Sequence, residues 1–546
     1  MGKKAALSNG SDSLHDPRAT AGAASQPQLE GAPCLQAPAT RRLPLALFLA
    51  ALALAPAAAA TELRVDGDYR IRFADNTNLL LDDQGTQLGQ QTWAEQRLRL
   101  TPVIVEPDSI EIDAQFDIFS GLFAGQLAPS FQGLGWSGRS ETESLQLSGF
   151  DFRALFVQLK LPYGTLKLGQ MPSDWGLGLV WNAGNEVETI DFGDQRFGDI
   201  VERLLFTDKP FDFLGAHSPL AQHLALLVAG DVVYRDRLAS LVVRDGSGLS
   251  WGDTAFEFLG GLEYVDGERT RLGFVAQRRF QEFAQDAGNL HQWTFDLYAS
   301  RLEPIAPLDA LLTLELEAAI DDGAATHLAS LSAPGSVSIL QAGGIARARL
   351  AFRQLETELE AGFASGDANP FDSTSNGFSF NRDSKVSLVL WDEVMLFQTQ
   401  NAAARLANPS LAAHPANGLD LLPTEGAMTD ALYLKPTLRY RPAWLRGKVR
   451  LTGALLWSRA PTPVIDAYQA YTHSAPLNAF GAAAGRDYGV ELDGAISWRE
   501  RLFTDRLGLE LGTQYGVLFP GDVFDKPDGT RMGKAVAAKL RAGVEF

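Results

Sequence analysis

The residues best suited to chemistry lie in one stretch, GQMPSDWGLGLVWNAGN (Gly169–Asn185), continued by the acidic EVETIDFGDQRFGD (Glu186–Asp199). Glycines let a backbone approach a phosphate, and clustered carboxylates can bind a cation or move a proton. Gly176 and Gly178 open a G-x-G, but Trp181 stands where a dinucleotide fingerprint needs its third glycine, and no helical period follows. The stretch has neither the G-K-[ST] of a P-loop nor the G-x-S-x-G of a nucleophile elbow. Its acids, Asp174, Glu186, Glu188, Asp191, Asp194 and Asp199, lack the spacing of a calcium-binding EF-hand loop.

Other chemistry is equally thin. After residue 60 the histidines are His217, His223, His291, His327, His414 and His473, and none forms H-x-x-x-H or H-E-x-x-H. No spacing suggests a His paired with Ser or Asp, so neither an enzyme nor a cofactor is expected. Two acidic sets, Asp522, Asp525 and Asp528, and Asp367, Asp372 and Asp383, could hold Ca²⁺ or bridge to lipopolysaccharide. Solvated acidic loops are their plainer reading. The single cysteine, Cys34, precedes the apolar run of the leader and excludes a disulfide or thiolate site beyond it. The net charge is −19, and −21 once residues 1–60, with five Lys/Arg and three Asp/Glu, are set aside. Such a chain is a poor binder of nucleic acid.

What positions the stretch is a long series of strands. Arg41-Arg42 and LPLALFLAALALAPAAAA read as a secretory signal, so residues 1–60 are expected to be an extended leader that is removed. From residue 61 the hydrophobic period is 2. Leu63, Val65, Tyr69, Ile71 and Phe73 alternate with Arg64, Asp66, Asp68, Arg70 and Arg72. Leu312, Leu314, Leu316 and Ile320 alternate with Thr313, Glu315 and Glu317; Tyr488, Val490, Leu492, Ile496 and Trp498 alternate with Gly489, Glu491, Asp493 and Ser497. About 18 segments of this kind begin near residues 63, 92, 109, 150, 164, 201, 222, 255, 268, 290, 309, 338, 353, 431, 447, 487, 506 and 534. The predicted fold is an all-β, transmembrane antiparallel barrel over 61–546, with about 18 strands and 16 as the alternative count.

The links alternate long and short, as short periplasmic turns and long external loops require. VEPDS, PYG and VDGE are tight, whereas 120–149, 172–200 and 365–430 are long. The segment 209–221 breaks the rule, and 365–430 is expected to be a long external loop. The chain ends on KAVAAKLRAGVEF, an amphipathic strand whose final Phe546 resembles the signal read by the barrel-assembly machinery.

With the apolar face on lipid, the alternate residues line the lumen. The basic candidates are Arg64, Arg70, Arg72, Arg97, Arg99, Arg347, Arg349, Arg439 and Arg450, opposed by acids such as Asp117, Glu358 and Glu491. Residues 172–200, with Trp175, Trp181 and the six acids, then have two readings: a constriction loop folded into the lumen, or an external hairpin prolonging two strands.

The same stretch carries a resemblance. Gly169, Met171, Pro172, Trp175, Gly176 and Gly178, followed by Gly198, Asp199 and Arg203, resemble the G-x-M-P-x-x-W-G-x-G core of a deltaproteobacterial family of outer-membrane barrel proteins. Ile200-Val201-Glu202 departs from that family's continuation. The resemblance implies fold and location, and no substrate. A looser likeness is to carbohydrate and alginate-export porins. The expectation is a porin-like channel passing small hydrophilic solutes through the bacterial outer membrane, in contact with its lipid and lipopolysaccharide. The alternatives are a closed barrel whose long loops bind a partner or polysaccharide, and third an outer-membrane hydrolase.

Overall fold

The computed structural model describes residues 61–546 except 107–108, 127–149, 186–190, 196–197, 212–217, 240–251, 268, 285–287, 327–334, 409, 413–417, 419–422 and 503–506. The leader, Cys34, Glu186, Glu188, His217, His327 and His414 therefore lie outside the described residues.

Alternation produces strands, and their edges pair in sequence. The strands are β1 (Glu62–Asn76), β2 (Gln91–Glu106), β3 (Ile110–Gln126), β4 (Phe150–Leu161), β5 (Gly164–Ser173), β6 (Asp199–Asp208), β7 (Leu224–Arg235), β8 (Thr254–Asp266) and β9 (Thr270–Phe283). They continue as β10 (Gly288–Ile305), β11 (Ala310–Thr326), β12 (Ser336–Phe352), β13 (Leu355–Ala364), β14 (Ala431–Tyr440), β15 (Val449–Arg459), β16 (Asp487–Leu502), β17 (Leu507–Pro520) and β18 (Ala535–Glu545). Each is antiparallel to the next, and β1 closes on β18 with Asp68 opposite Glu545 and Asn76 opposite Ala537. Closure leaves no unpaired edge, which a hydrocarbon solvent requires. A two-residue strand, Thr374–Ser375, pairs parallel with β12 beyond this ring.

The facing follows the sequence period. Along β14, Leu432, Leu434, Leu438 and Tyr440 are exposed on the outside while Tyr433, Lys435, Thr437 and Arg439 are buried inside. The exposed apolar residues of the other strands, such as Leu314, Leu316, Leu455 and Leu492, extend the same outer girdle. No helix among the described residues is long and apolar enough to cross a membrane; the crossing is made by strands. Tyr488 departs from the expected parity. A bulge at Ser458/Arg459 opposite Gly489, whose φ is +104°, turns Tyr488 inward, where its ring meets Trp391 edge-on at 4.9 Å.

Both ends of the described chain meet on the outer wall. The Phe546 backbone exchanges hydrogen bonds with Gly67 at 2.8 and 2.9 Å. A Cβ on Gly67 would lie 2.7 Å from the Phe546 ring, so glycine at this position makes the seat for the terminal aromatic.

Connections at one barrel end are short: 162–163, 306–309 and 353–354 span two to four residues. The 209–223 link is the long one there, and it carries the short helix α1 (Pro219–His223). The other end carries the long connections, and the hydrophobic core lies inside the barrel beneath them. Leu79, Leu81, Leu179, Phe192, Phe378, Phe380, Leu388, Trp391, Phe397, Phe480 and Phe524 pack into one cluster drawn from five connections.

Candidate functional site: the barrel lumen

Wall glycines give the inward segments room. A Cβ on Gly343 of β12 would lie 2.2 Å from the Phe378 ring, and one on Gly273 of β9 would lie 2.6 Å from Trp175. Two wall carboxylates then hold segment backbones. Glu317 of β11 accepts from Leu177 N and, at 3.1 Å, from Leu179 N. Glu491 of β16 accepts from Leu388, Val389 and Leu390 N at 2.8, 2.8 and 2.7 Å. Each supplies acceptors to backbone N–H groups that would otherwise be buried unpaired.

The first inward segment runs from β5 to β6. Asp174 is exposed at the start of this segment, yet desolvation by its neighbours raises its carboxyl above the ordinary value, against hydrogen bonding from Ala183 N and the charge of Arg271. Trp175 donates from Nε1 to Asp296 at 2.9 Å. Trp181 packs with Ala229, Leu259 and Val275 on the β7–β9 wall. Asp191 then reaches Arg439 at 2.5 Å, Arg450 at 3.0 Å and Thr452 at 3.2 Å, on β14 and β15. Counting around the ring of eighteen, these strands lie nine from β5 and β6, so the segment crosses the lumen. Asp194 pairs with Arg541 of β18 and, at 3.2 Å, with Arg72 of β1. Asp199 accepts from Asn381 Nδ2 at 2.6 Å and Asn182 N at 3.2 Å.

The 365–430 connection was expected to stand outside the barrel, and the structure corrects this. Its 378–407 stretch is buried within the lumen, as a π-helical turn, Leu390–Met395, leading into α2 (Leu396–Ala407). The physical reason is in FSFNRDSKVSLVLWDEVMLF (378–397), which is too apolar to leave in water. The wall fixes it on several sides. Lys435 donates to Val386 O at 2.8 Å, Lys539 reaches Asp392 and Glu393 at 3.1 Å each, and Asn76 donates to Glu393. The two inward segments also join, with Asn381 N on Leu179 O at 2.7 Å and Gly198 N on Asp383 at 2.6 Å.

The basic candidates prove to be ion-paired. Arg70 and Arg97 lie near Asp68, at 4.0 and 3.2 Å, and Arg99 makes a two-pronged contact with Asp117 at 2.7 and 2.9 Å. Arg99 also reaches Asn185 at 2.7 Å. Arg72 adds Glu95 at 3.2 Å. Arg347 meets Glu360 at 2.5 Å, Arg349 meets Glu358 at 2.8 Å, and Arg439 adds Glu356 at 2.8 Å. Arg64 sits at the short-turn rim, exposed, 3.1 Å from Asp66. Thus Arg72, Arg439 and Arg450 gather around the acids of the crossing segment, while Arg347 and Arg349 belong to a wall network on β12 and β13.

The acidic sets do not converge. Asp522 accepts from Arg486 N and Asp487 N, Asp525 pairs with Arg531, and Asp528 accepts from Thr530. Asp367 and Asp372 serve turns at Asn369 and Thr374, far from Asp383's contact with Gly198. Among the described residues no three His, Cys, Asp or Glu come together as a metal site. Of the histidines described, His223 lies on α1, His291 on β10 and His473 at the end of a third helix, α3 (Ala467–His473).

Sequence reasoning missed the lumen cavity between the inward segments and the β8–β12 wall. It has a volume of about 110 Å³ and is lined by Asp199, Asp236, Glu257, Gln277, Arg279, Asp321 and Ser379, among others. Burial raises the Asp236 carboxyl, but Arg279, two-pronged on Asp236 and also 2.9 Å from Glu257, outweighs it and keeps Asp236 below the ordinary range. The signal for this site was the polar alternation of β8–β12, which names a wall without telling what faces it.

No family model and no curated protein matches this chain. Solved structures similar to it are outer-membrane porins of the Occ/Opd group. OccK5 (OpdH) of Pseudomonas aeruginosa has 10% identity over 89% of this chain and 98% of its own, with a TM-score of 0.46. OccAB1 of Acinetobacter baumannii has 10% identity over 89% and 96%, with a TM-score of 0.49. OpdK of P. aeruginosa, solved with vanillate, has 12% identity over 88% and 98%, with a TM-score of 0.45. Superpositions this loose transfer no substrate, and the barrel rests on its own strand pairing. The class defined here is a closed, 18-stranded antiparallel transmembrane barrel with a polar lumen occupied by inward segments.

Proposed function

We propose that this chain is a porin-like channel of the bacterial outer membrane, passing small hydrophilic solutes without a chemical step. One observation carries the reading: on the β8–β12 side the lumen keeps a polar cavity between the wall and the inward segments, which the apolar core built by those segments does not fill. An 18-stranded ring is wide enough for an aqueous path, and segment 174–198, with Asp191 and Asp194 on opposing arginines, is its constriction. In this reading the leader directs export, the short turns face the periplasm, the long connections face outward, and Phe546 serves assembly. Planar-bilayer conductance of the purified barrel tests it.

A second reading has support of its own. Five connections build a hydrophobic core inside the lumen, as a barrel closed to solutes and presenting its outer rim to a partner would need. Folded protein that gives no current favours this alternative.

A further inference from the structure

We propose that the cavity between the inward segments and the β8–β12 wall is a binding site for a small, neutral polyhydroxylated solute. The inference deepens the channel reading and rests on it for the route by which solute arrives.

Gln277 of β9 is the residue that points to an occupant. It is 4% exposed, lines the cavity, and its Nε2 has no hydrogen-bond partner. A buried donor left unpaired is destabilising, so such a group in a cavity wall points to an occupant that accepts. Across the cavity, on the second inward segment, Ser379 Oγ is also without a partner. The remaining polar wall carries both kinds of group: Arg237 and Arg279 add donors, while Asp321 takes a hydrogen bond from Thr294 at 2.6 Å and keeps further lone pairs. A carboxylate solute would meet Asp199, Asp236, Glu257 and Asp321, with the Arg279 guanidinium already paired to Asp236 and Glu257. An ammonium solute would put donors against the Gln277 amide donor. Hydroxyl groups donate and accept at one atom, and so satisfy both kinds of wall.

Size and shape agree. The cavity's volume of about 110 Å³ lies far below the roughly 300–1,000 Å³ of a drug-sized site. That suits a polyol of three to five carbons. Trp181 and Phe378 supply apolar surface for its C–H groups.

The test is equilibrium binding of radiolabelled erythritol to the full barrel in detergent, in competition with a matched amine and a matched carboxylate. The expected result is saturable binding of one erythritol per barrel, displaced by other polyols and not by the charged competitors. Gln277→Glu, which exchanges only the donor end of the amide, weakens binding about tenfold, and Ser379→Ala weakens it severalfold. Heat-modifiable migration on gels verifies that both variants are folded. Absence of saturable binding, meaning ordered water only, overturns the proposal. So does preferential displacement by the amine or carboxylate, or binding that both variants leave unchanged. Saturable binding by a barrel that carries no current overturns the channel reading and leaves the site standing.

Discussion

Replacing Asp191 and Asp194 by Asn tests whether the segment crossing the lumen sets its field. The two carboxylates face four guanidiniums, those of Arg439, Arg450, Arg541 and Arg72. Asn keeps an acceptor oxygen at each position. The segment also keeps its other anchors, Glu317 on Leu177 and Leu179 and the Asn381–Asp199 contact. The change is therefore mainly one of charge, raising the local total by two. For an ion about 8 Å away in water, each charge acts with about 0.5 kcal/mol, and the pair with about 1 kcal/mol. At 0.1 M salt, with a Debye length of about 10 Å, roughly half of this survives. That lowers local cations about twofold and raises anions about twofold, so the permeability ratio moves toward anions about fourfold. At 1 M salt, with a Debye length of about 3 Å, the shift disappears. Reversal potentials across a salt gradient measure it. The control is Asp528→Asn, a fully exposed position in the last long connection. An equal shift in the control, or no shift in the double variant at low salt, refutes the reasoning.

Glu491→Leu leaves three backbone N–H groups unpaired, at about 1–3 kcal/mol each before relaxation. The expected outcome is a loosened 386–395 segment, read as faster proteolysis within it and larger, noisier single-channel steps. Leu492→Arg places a charge in lipid at about 2–4 kcal/mol near the midplane, whereas Asp493→Asn, one position along and facing the lumen, keeps folding yield near wild type. Urea titration in lipid vesicles measures both, and equal damage contradicts the facing. Deleting Phe546 removes the ring seated on Gly67 and is expected to lower the heat-modifiable fraction in outer-membrane preparations; unchanged assembly sinks that role. Burial pushes the Asp430 carboxyl up to about 7, against hydrogen bonds from Thr462 N and Oγ1. Folding thus favours its protonated form, and that stabilisation, present below pH ~4, is lost as pH rises through 7. Asp430→Asn is expected to flatten the fall in heat resistance between pH 5 and 8, and a wild-type slope in the variant contradicts it.

The wall was legible because a strand's period is 2 and needs no partner to be read. All eighteen starts lie within two residues of those expected, the weak segments near 150 and 201 included. Tyr488 escaped because a bulge reverses parity without changing composition. The lumen contents were far less legible. Both long connections look alike as loops, and what draws 378–397 inward is a match between its apolar side chains and wall glycines such as Gly343 and Gly516, distant in sequence. Charged residues likewise announce a polar face without naming partners. Arg439 finds Asp191 248 positions away, a pairing fixed by ring closure and by the crossing segment together. Gln277 carried no signal at all, since an unpartnered amide is visible only once its surroundings are built.

The central claim is that a polar path survives beside the inward segments. The most direct measurement is the conductance of single purified barrels in a planar bilayer at 1 M KCl, paired with a heat-modifiability gel to verify that the same preparation is folded. The account predicts discrete, reproducible steps that persist across applied voltages. Folded barrels that insert and pass no current would contradict it.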